Sequence, residues 1–159
     1  MSALPPVTLL YGDDEFAIAI HVKGLKSDLG VDENAALNVT EFEAAGLSFS
    51  EFRSVCESAP FLCSQRLVIL TDLLAKEARK DLLTALIDYL LAVPVSTALL
   101  LQERVKIPKN NRLLKAVLGM EGAEVCEYAL PANRDLPRWI IERASRAGGD
   151  FSAAAAQEL

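Results

Sequence analysis

Residues 7–15 read VTLLYGDDE, a run of aliphatic and β-branched side chains followed by a glycine and three acidic residues. The first five residues predict a short buried strand, and Gly12 allows a tight turn after it. Asp13 or Asp14 can then cap a helix that we expect to end near Leu29. The side chains expected to face inward from that helix are Phe16, Ile20 and Leu25. A strand that passes directly into a helix is typical of α/β folds.

The rest of the chain continues this alternation. Further strands are predicted at 36–41, 66–71, 97–101 and 124–128, and further helices at 49–58, 76–91 and 110–120. Ser48 and Glu51 have the spacing of a capping box, and the aliphatic run 67–70 is typical of a strand buried on both faces. The apolar face predicted for the 76–91 helix comprises Leu82, Leu83, Leu86, Ile87, Leu90 and Leu91. Five strands joined by helices predict a three-layer α/β sandwich with a mainly parallel sheet.

The composition excludes several classes of protein. The chain has 159 residues, of which 52% are hydrophobic and 24% charged, so it can bury a core without disulfides or metal. A net charge of −6 disfavours a domain that binds nucleic acid over a whole face of its surface. One histidine and three cysteines fit no zinc-binding pattern, so we expect no metal. With neither a signal peptide nor an apolar run long enough to cross a bilayer, we expect a cytoplasmic protein without a membrane partner.

The pattern changes after Pro131. Pro137 falls at an early position of a predicted helix, where its missing N–H costs little. A further helix predicted over 153–159 stops in mid-pattern, as in a truncated chain. We therefore expect an α/β domain at 1–133 and the truncated start of a second, helical domain at 134–159.

The loop after the first strand does not resemble a phosphate-binding loop. Such a loop carries G-x-x-x-x-G-K-[ST], because backbone amides and a lysine must surround the phosphates. Gly12 is followed here by Asp13, Asp14 and Glu15, which place carboxylates where a phosphate would lie. We predict neither a cofactor nor a catalytic residue, since no nucleophile stands in a recognisable setting. The alternative left open is a small α/β nucleotide-binding hydrolase with an atypical phosphate loop.

Three segments together resemble the delta subunit of the bacterial DNA polymerase III clamp loader. They are LLYGDDEF at 9–16, SAPFLCSQRLVIL at 58–70 and LPRWI at 136–140. Their order and spacing match that family from about Val7 to the end of the chain. The resemblance implies an AAA+-like (RecA-like) fold without a working nucleotide site, followed by the start of a helical lid domain.

The resemblance also implies a function. Delta is a non-catalytic accessory subunit of the DNA polymerase III holoenzyme that binds the beta sliding clamp and helps open it for loading onto primed DNA. In the full-length protein its partners are the delta prime and gamma/tau subunits, joined through a collar domain that we expect to be missing from this chain. By position, the clamp-entering pair is Phe61 and Leu62, preceded by Pro60. Exposed apolar pairs suit a pocket on a partner; the alternative is that both side chains fold back onto the core.

A basic set follows the fourth predicted strand. It comprises Lys106, Lys109, Arg112 and Lys115, of which the last two lie three residues apart on a predicted helix. These side chains could approach DNA phosphates inside an assembled loader. The overall acidity favours the alternative of a solvated helix face.

Overall fold

The computed structural model describes residues 3–30, 33–78 and 80–146. Its elements in chain order are β1 (Val7–Tyr11), α1 (Glu15–Leu29), α2 (Glu33–Leu37), β2 (Val39–Glu43), α3 (Phe49–Cys56), β3 (Arg66–Thr71), α4 (Lys80–Tyr89), β4 (Thr97–Glu103), α5 (Arg112–Leu118), β5 (Glu124–Glu127) and α6 (Leu136–Arg146). Single 3₁₀ turns occupy Leu90–Ala92 and Asn133–Asp135. The chain forms two compact units, Met1–Tyr128 and Ala129–Leu159. None of the helices in the described part is long and apolar enough to cross a membrane.

The five strands form one sheet in the order β2-β3-β4-β1-β5, and every neighbouring pair is parallel. In its centre, Leu9 of β1 is in register with Leu101 of β4 on one side and Val125 of β5 on the other. Parallel neighbours cannot be joined by tight hairpins, so each connection carries at least one helix. The predicted α/β class with a parallel sheet is confirmed.

Helices cover both faces of the sheet, because alternate strand residues point in opposite directions. On one face, Leu9, Val68 and Leu99 pack with buried side chains of α3, α4 and α5. The helix residues that contribute most to this face are Phe52, Leu82, Leu86, Leu113 and Val117. On the other face, Leu10 and Ile69 pack with α1. Burying each of these side chains stabilises the fold by about 1.5–3 kcal/mol, which makes the sheet the core of a three-layer sandwich.

The prediction for the inward face of α1 was wrong at two of three positions. Phe16 is 61% exposed and Ile20 is 56% exposed. The residues that pack onto the sheet are Ile18, Val22, Leu25 and Leu29. These four recur at steps of three and four residues, so they form one stripe along the helix, whereas Phe16 and Ile20 lie outside it. Leu25 is inward as predicted.

Some predicted boundaries also shift. The strand expected at 36–41 begins only at Val39, because the short helix α2 occupies the preceding residues. The helix expected from 76 begins at Lys80 and tightens into the 3₁₀ turn Leu90–Ala92, which leaves Leu91 85% exposed instead of on the apolar face. Ser48 caps α3 as predicted, with its hydroxyl accepting a hydrogen bond from the Glu51 amide at 3.2 Å.

In the second unit, the helix predicted to start near Pro137 is α6, entered through the 3₁₀ turn Asn133–Asp135. Within it, the Arg143 guanidinium lies 4.1 Å from the centre of the Trp139 ring, a cation–π contact. The further helix predicted over 153–159 lies outside the described residues.

Candidate functional site

The loop between α3 and β3 presents two adjacent apolar side chains to solvent. Phe61 is 53% exposed and Leu62 is 75% exposed, while Pro60 is half-buried. Neither Phe61 nor Leu62 belongs to the core on either face of the sheet. The alternative in which both side chains fold back onto the core is therefore not the arrangement found. Large apolar side chains exposed next to each other are suited to fill a pocket on another protein.

A buried asparagine fixes the backbone of this loop. Asn38, which is fully buried between α2 and β2, accepts a hydrogen bond from the Phe61 amide through Oδ1 at 2.6 Å. Its Nδ2 donates to the Phe61 carbonyl at 2.7 Å and to the Asn34 carbonyl at 2.8 Å. Both backbone polar groups of Phe61 are thus held by one side chain. The sequence prediction missed Asn38; its only signal was an amide residue inside a segment predicted as strand, where asparagine is disfavoured.

The loop also contains a strained residue. Leu62 adopts a φ of 53°, in the left-handed region. For a residue with a bulky side chain this conformation costs about 1–2 kcal/mol. In extended backbone, successive side chains point in opposite directions, so the turn at Leu62 allows both members of the pair to be exposed. Strain of this kind concentrates at binding and catalytic sites.

Both ends of the loop are tied to the sheet. At the start of the loop, the last carbonyls of α3 have no partners within the helix. Side chains from the beginning of β3 and β4 supply them: Arg66 Nη1 donates to the Val55 carbonyl at 2.7 Å, and the Thr97 hydroxyl donates to the Cys56 carbonyl at 2.6 Å. Near the other end, Gln65 Oε1 accepts a hydrogen bond at 2.8 Å from the backbone just before β1. The apolar pair is therefore carried by a loop with fixed ends as well as a fixed middle.

Backbone amides of the loop after β1 donate hydrogen bonds to acceptors within the protein. Gly12 has a φ of 134°, and a Cβ atom there would overlap the Tyr128 carbonyl. Its amide donates to the Glu103 carbonyl at 3.2 Å, and the Asp14 amide donates to the Tyr128 carbonyl at 2.9 Å. The Asp14 side chain caps α1 by accepting from the Ala17 amide at 3.1 Å. The amides of Gly12, Asp14 and Ala17, which in a phosphate-binding loop could face an anion, donate here to acceptors of the protein itself.

A buried carboxyl group stands at the carboxyl end of β4. Glu103 is 1% exposed, and its two oxygens accept hydrogen bonds from the Leu73 amide at 2.8 Å and the Leu74 amide at 3.1 Å. Burial raises the pKa of Glu103 to about 7, the two amide donors oppose this rise, and the nearby Asp72 adds to it. Asp72 itself is ion-paired with Arg104. Glu103 thus holds the turn after β3 instead of facing solvent.

The basic set lies along the segment that links β4 to the end of α5. Lys106 Nζ is 3.6 Å from Asp13 Oδ2, so this lysine faces the acidic loop after β1. Lys109, Arg112 and Lys115 are exposed, the last two on α5. Lys106 follows the carboxyl end of β4, whereas Phe61 lies in the loop that precedes the amino end of β3.

The family model of the DNA polymerase III delta subunit matches residues 9–123. The chain belongs to this family. The match includes the loop with Phe61 and Leu62, and it confirms the resemblance inferred from the sequence. Members of this delta family are accessory subunits of the clamp loader.

Two solved structures show the same fold. The Bacillus subtilis DNA clamp loader delta protein superposes with a TM-score of 0.75 at 20% identity, covering 98% of this chain and 47% of its own. A DNA polymerase III gamma subunit-related protein from Thermotoga maritima gives a TM-score of 0.55 at 16% identity, covering 99% of this chain and 54% of its own. The chain therefore spans about half the length of these two proteins, and its fold is the AAA+-like sandwich of clamp-loader subunits. No curated protein matches the chain.

Proposed function

We propose that this chain binds the beta sliding clamp through Phe61 and Leu62 and helps open the ring for loading onto primed DNA. The observation that carries the proposal is the exposed apolar pair on a loop whose backbone Asn38 holds in place. Membership in the delta family supports it, because clamp binding is that family's role. Pro60 contributes by fixing its own φ and so stiffening the entry to the pair.

Preorganisation is the physical advantage of this arrangement. A mobile loop would lose conformational entropy on binding, at about 1–2 kcal/mol for each residue whose backbone becomes fixed. Here the Phe61 backbone is already held by two hydrogen bonds. More of the free energy gained by burying the two side chains is then available as affinity.

The remaining assignments follow from the same family role. We assign the chain as a non-catalytic, cytoplasmic subunit of the DNA polymerase III holoenzyme that acts with delta prime and gamma/tau in the full-length protein. Residues 134–159 would begin the helical lid. The basic set (Lys106, Lys109, Arg112 and Lys115) would face DNA within the assembled loader, where exposed cations can contact phosphates. The committed amides of the loop after β1 support the absence of catalysis.

The direct test is a binding measurement between the chain and its cognate clamp. Phe61→Ala combined with Leu62→Ala should weaken binding by about two orders of magnitude or more, since each buried side chain contributes about 1.5–3 kcal/mol and 1.4 kcal/mol is tenfold. The matched control is Phe16→Ala combined with Ile20→Ala, which removes an aromatic and an aliphatic side chain of similar exposure from α1. The control should leave the affinity unchanged.

The thermal stability of the double variant distinguishes a binding role of Phe61 and Leu62 from a role in packing the core. Both side chains of the pair are more than half exposed, so the double variant should keep a melting midpoint close to that of the parent chain. Core side chains of this size would cost about 2–5 kcal/mol each on truncation to alanine. A folded double variant with unchanged clamp affinity, or equal losses of affinity in the double variant and the control, would contradict the proposal.

A further inference from the structure

Three potential metal ligands from distant parts of the sequence meet at one edge of the sheet. His21 lies on α1, and Glu124 and Cys126 lie two residues apart on β5, so they share one face of that strand. Ligand atoms of all three side chains lie within 4.8 Å of one another. The sequence pattern predicted no such site, because His21 is far from the other two residues along the chain.

Two of the separations between these atoms are close to those of ligands around a tetrahedral metal ion. Zinc binds at about 2.0–2.1 Å to histidine nitrogen, 2.3 Å to cysteine sulfur and 2.0–2.2 Å to carboxylate oxygen, which places neighbouring ligand atoms about 3.4–3.6 Å apart. Glu124 Oε1 lies 3.7 Å from His21 Nε2 and 3.4 Å from Cys126 Sγ. Glu124 therefore already lies near the tetrahedral spacing from the other two ligand atoms, and the ligand atoms of His21 and Cys126 lie within 4.8 Å of each other.

The orientation of the histidine ring supports the same assignment. His21 Nδ1 lies 2.7 Å from the Tyr128 hydroxyl. In the tautomer with its proton on Nδ1, the ring donates to that hydroxyl and directs the Nε2 lone pair towards Glu124. Histidine ligands of metals are commonly fixed in this way by a hydrogen bond at the other ring nitrogen.

We propose that His21, Glu124 and Cys126 form a zinc site with three protein ligands and a water in the fourth position. A thiolate, an imidazole and a carboxylate form a mixed set that suits a borderline-soft divalent ion, whereas magnesium and calcium prefer oxygen ligands alone. The bound ion would link α1 to the edge strand β5. All three side chains are half-buried, so an ion can reach them from solvent.

Cobalt(II) is the probe of choice, because it takes tetrahedral sites and reports a bound thiolate by a charge-transfer band. Titration of the reduced chain should produce that band with one equivalent, and zinc should then displace the cobalt. Cys126→Ser should abolish the band. The matched control is Cys63→Ser, another half-buried thiol, which should keep it. A parent chain that gives no thiolate band, or a band that persists in Cys126→Ser, would overturn the proposal.

Two further variants distinguish a metal site from a hydrogen-bonded cluster. Tyr128→Phe keeps all three ligands but removes the hydrogen bond to the ring, and should weaken zinc binding about 10–100-fold. Glu124→Gln changes a side chain that is 41% exposed, so the chain should fold normally while losing affinity for zinc. Zinc should raise the melting midpoint of the parent chain and of Cys63→Ser, but not that of Cys126→Ser. Equal midpoints with and without zinc in the parent chain would count against the site.

Discussion

Replacing Asn38 by leucine tests whether one buried side chain presents the Phe61–Leu62 pair. The substitution keeps a similar volume but removes three hydrogen bonds, two to the Phe61 backbone and one to the Asn34 carbonyl. Each such bond contributes about 0.5–1.5 kcal/mol, and a buried group left without a partner costs about 1–3 kcal/mol. Phe61 is partly exposed, so water can replace some of the lost bonds. We therefore expect the free energy of unfolding to fall by about 2–4 kcal/mol.

The same substitution should weaken clamp binding although both apolar side chains remain. Without Asn38 the loop must be ordered on binding, and fixing the backbone of Phe61 and Leu62 costs about 1–2 kcal/mol per residue. This corresponds to a loss of affinity of about 30–700-fold, at tenfold for each 1.4 kcal/mol. Urea unfolding gives the stability, and titration with the clamp under conditions where the variant is fully folded gives the affinity.

Asn38→Asp provides a matched control with nearly the same shape. When protonated, the new carboxyl group can donate to one of the two carbonyls that Asn38 Nδ2 contacts, at Asn34 and Phe61. When ionised, it places a buried negative charge against both, which raises its pKa. The stability of this variant should therefore be highest at low pH and fall relative to the parent chain as pH rises. If Asn38→Leu leaves both the unfolding free energy and the clamp affinity unchanged, the loop is not held in the way described.

Two other predictions concern the carboxyl edge of the sheet. The pKa of Glu103 is raised to about 7, so the stability contributed by its protonated form is complete below about pH 4.5 and is lost as the pH rises through 7, by up to about 3 kcal/mol. The urea midpoint should therefore fall more steeply with pH in the parent chain than in Glu103→Gln. Equal dependence of the two midpoints on pH would refute this prediction. The chain should not bind ATP with magnesium, because its loop amides are committed; a stoichiometric calorimetric complex at micromolar affinity would favour the hydrolase alternative.

The strands were predictable because their signal is local. The aliphatic runs of β3 and β4 are buried on both faces, and such continuous runs are typical of central strands in a parallel sheet. The inward face of α1 was also present in the local pattern, but the prediction chose the wrong side. Phe16 and Ile20 fall on one side of the helix, and Ile18 and Val22 on the opposite side. Only the second side continues as an apolar stripe, through Leu25 and Leu29, and this is the side that packs on the sheet.

The candidate site shows the same division between local and long-range information. The family resemblance alone pointed to Phe61 and Leu62, since the motif that carries it is contiguous in sequence. Asn38 could not be found in that way, because its key partner lies 23 residues further along the chain. The left-handed φ of Leu62 was equally hidden, since leucine gives no local signal for that conformation.

The loop that follows β1 and the loop that precedes β3 lie at opposite edges of the sheet. In a parallel sheet the carboxyl ends of all strands share one edge, where ligands of such folds usually bind. Gly12 follows the carboxyl end of β1, and Lys106 follows that of β4, whereas Phe61 and Leu62 precede the amino end of β3. Strands of five or six residues separate these edges by about 17–20 Å. A clamp bound at the amino edge, as proposed, would therefore leave the carboxyl edge accessible.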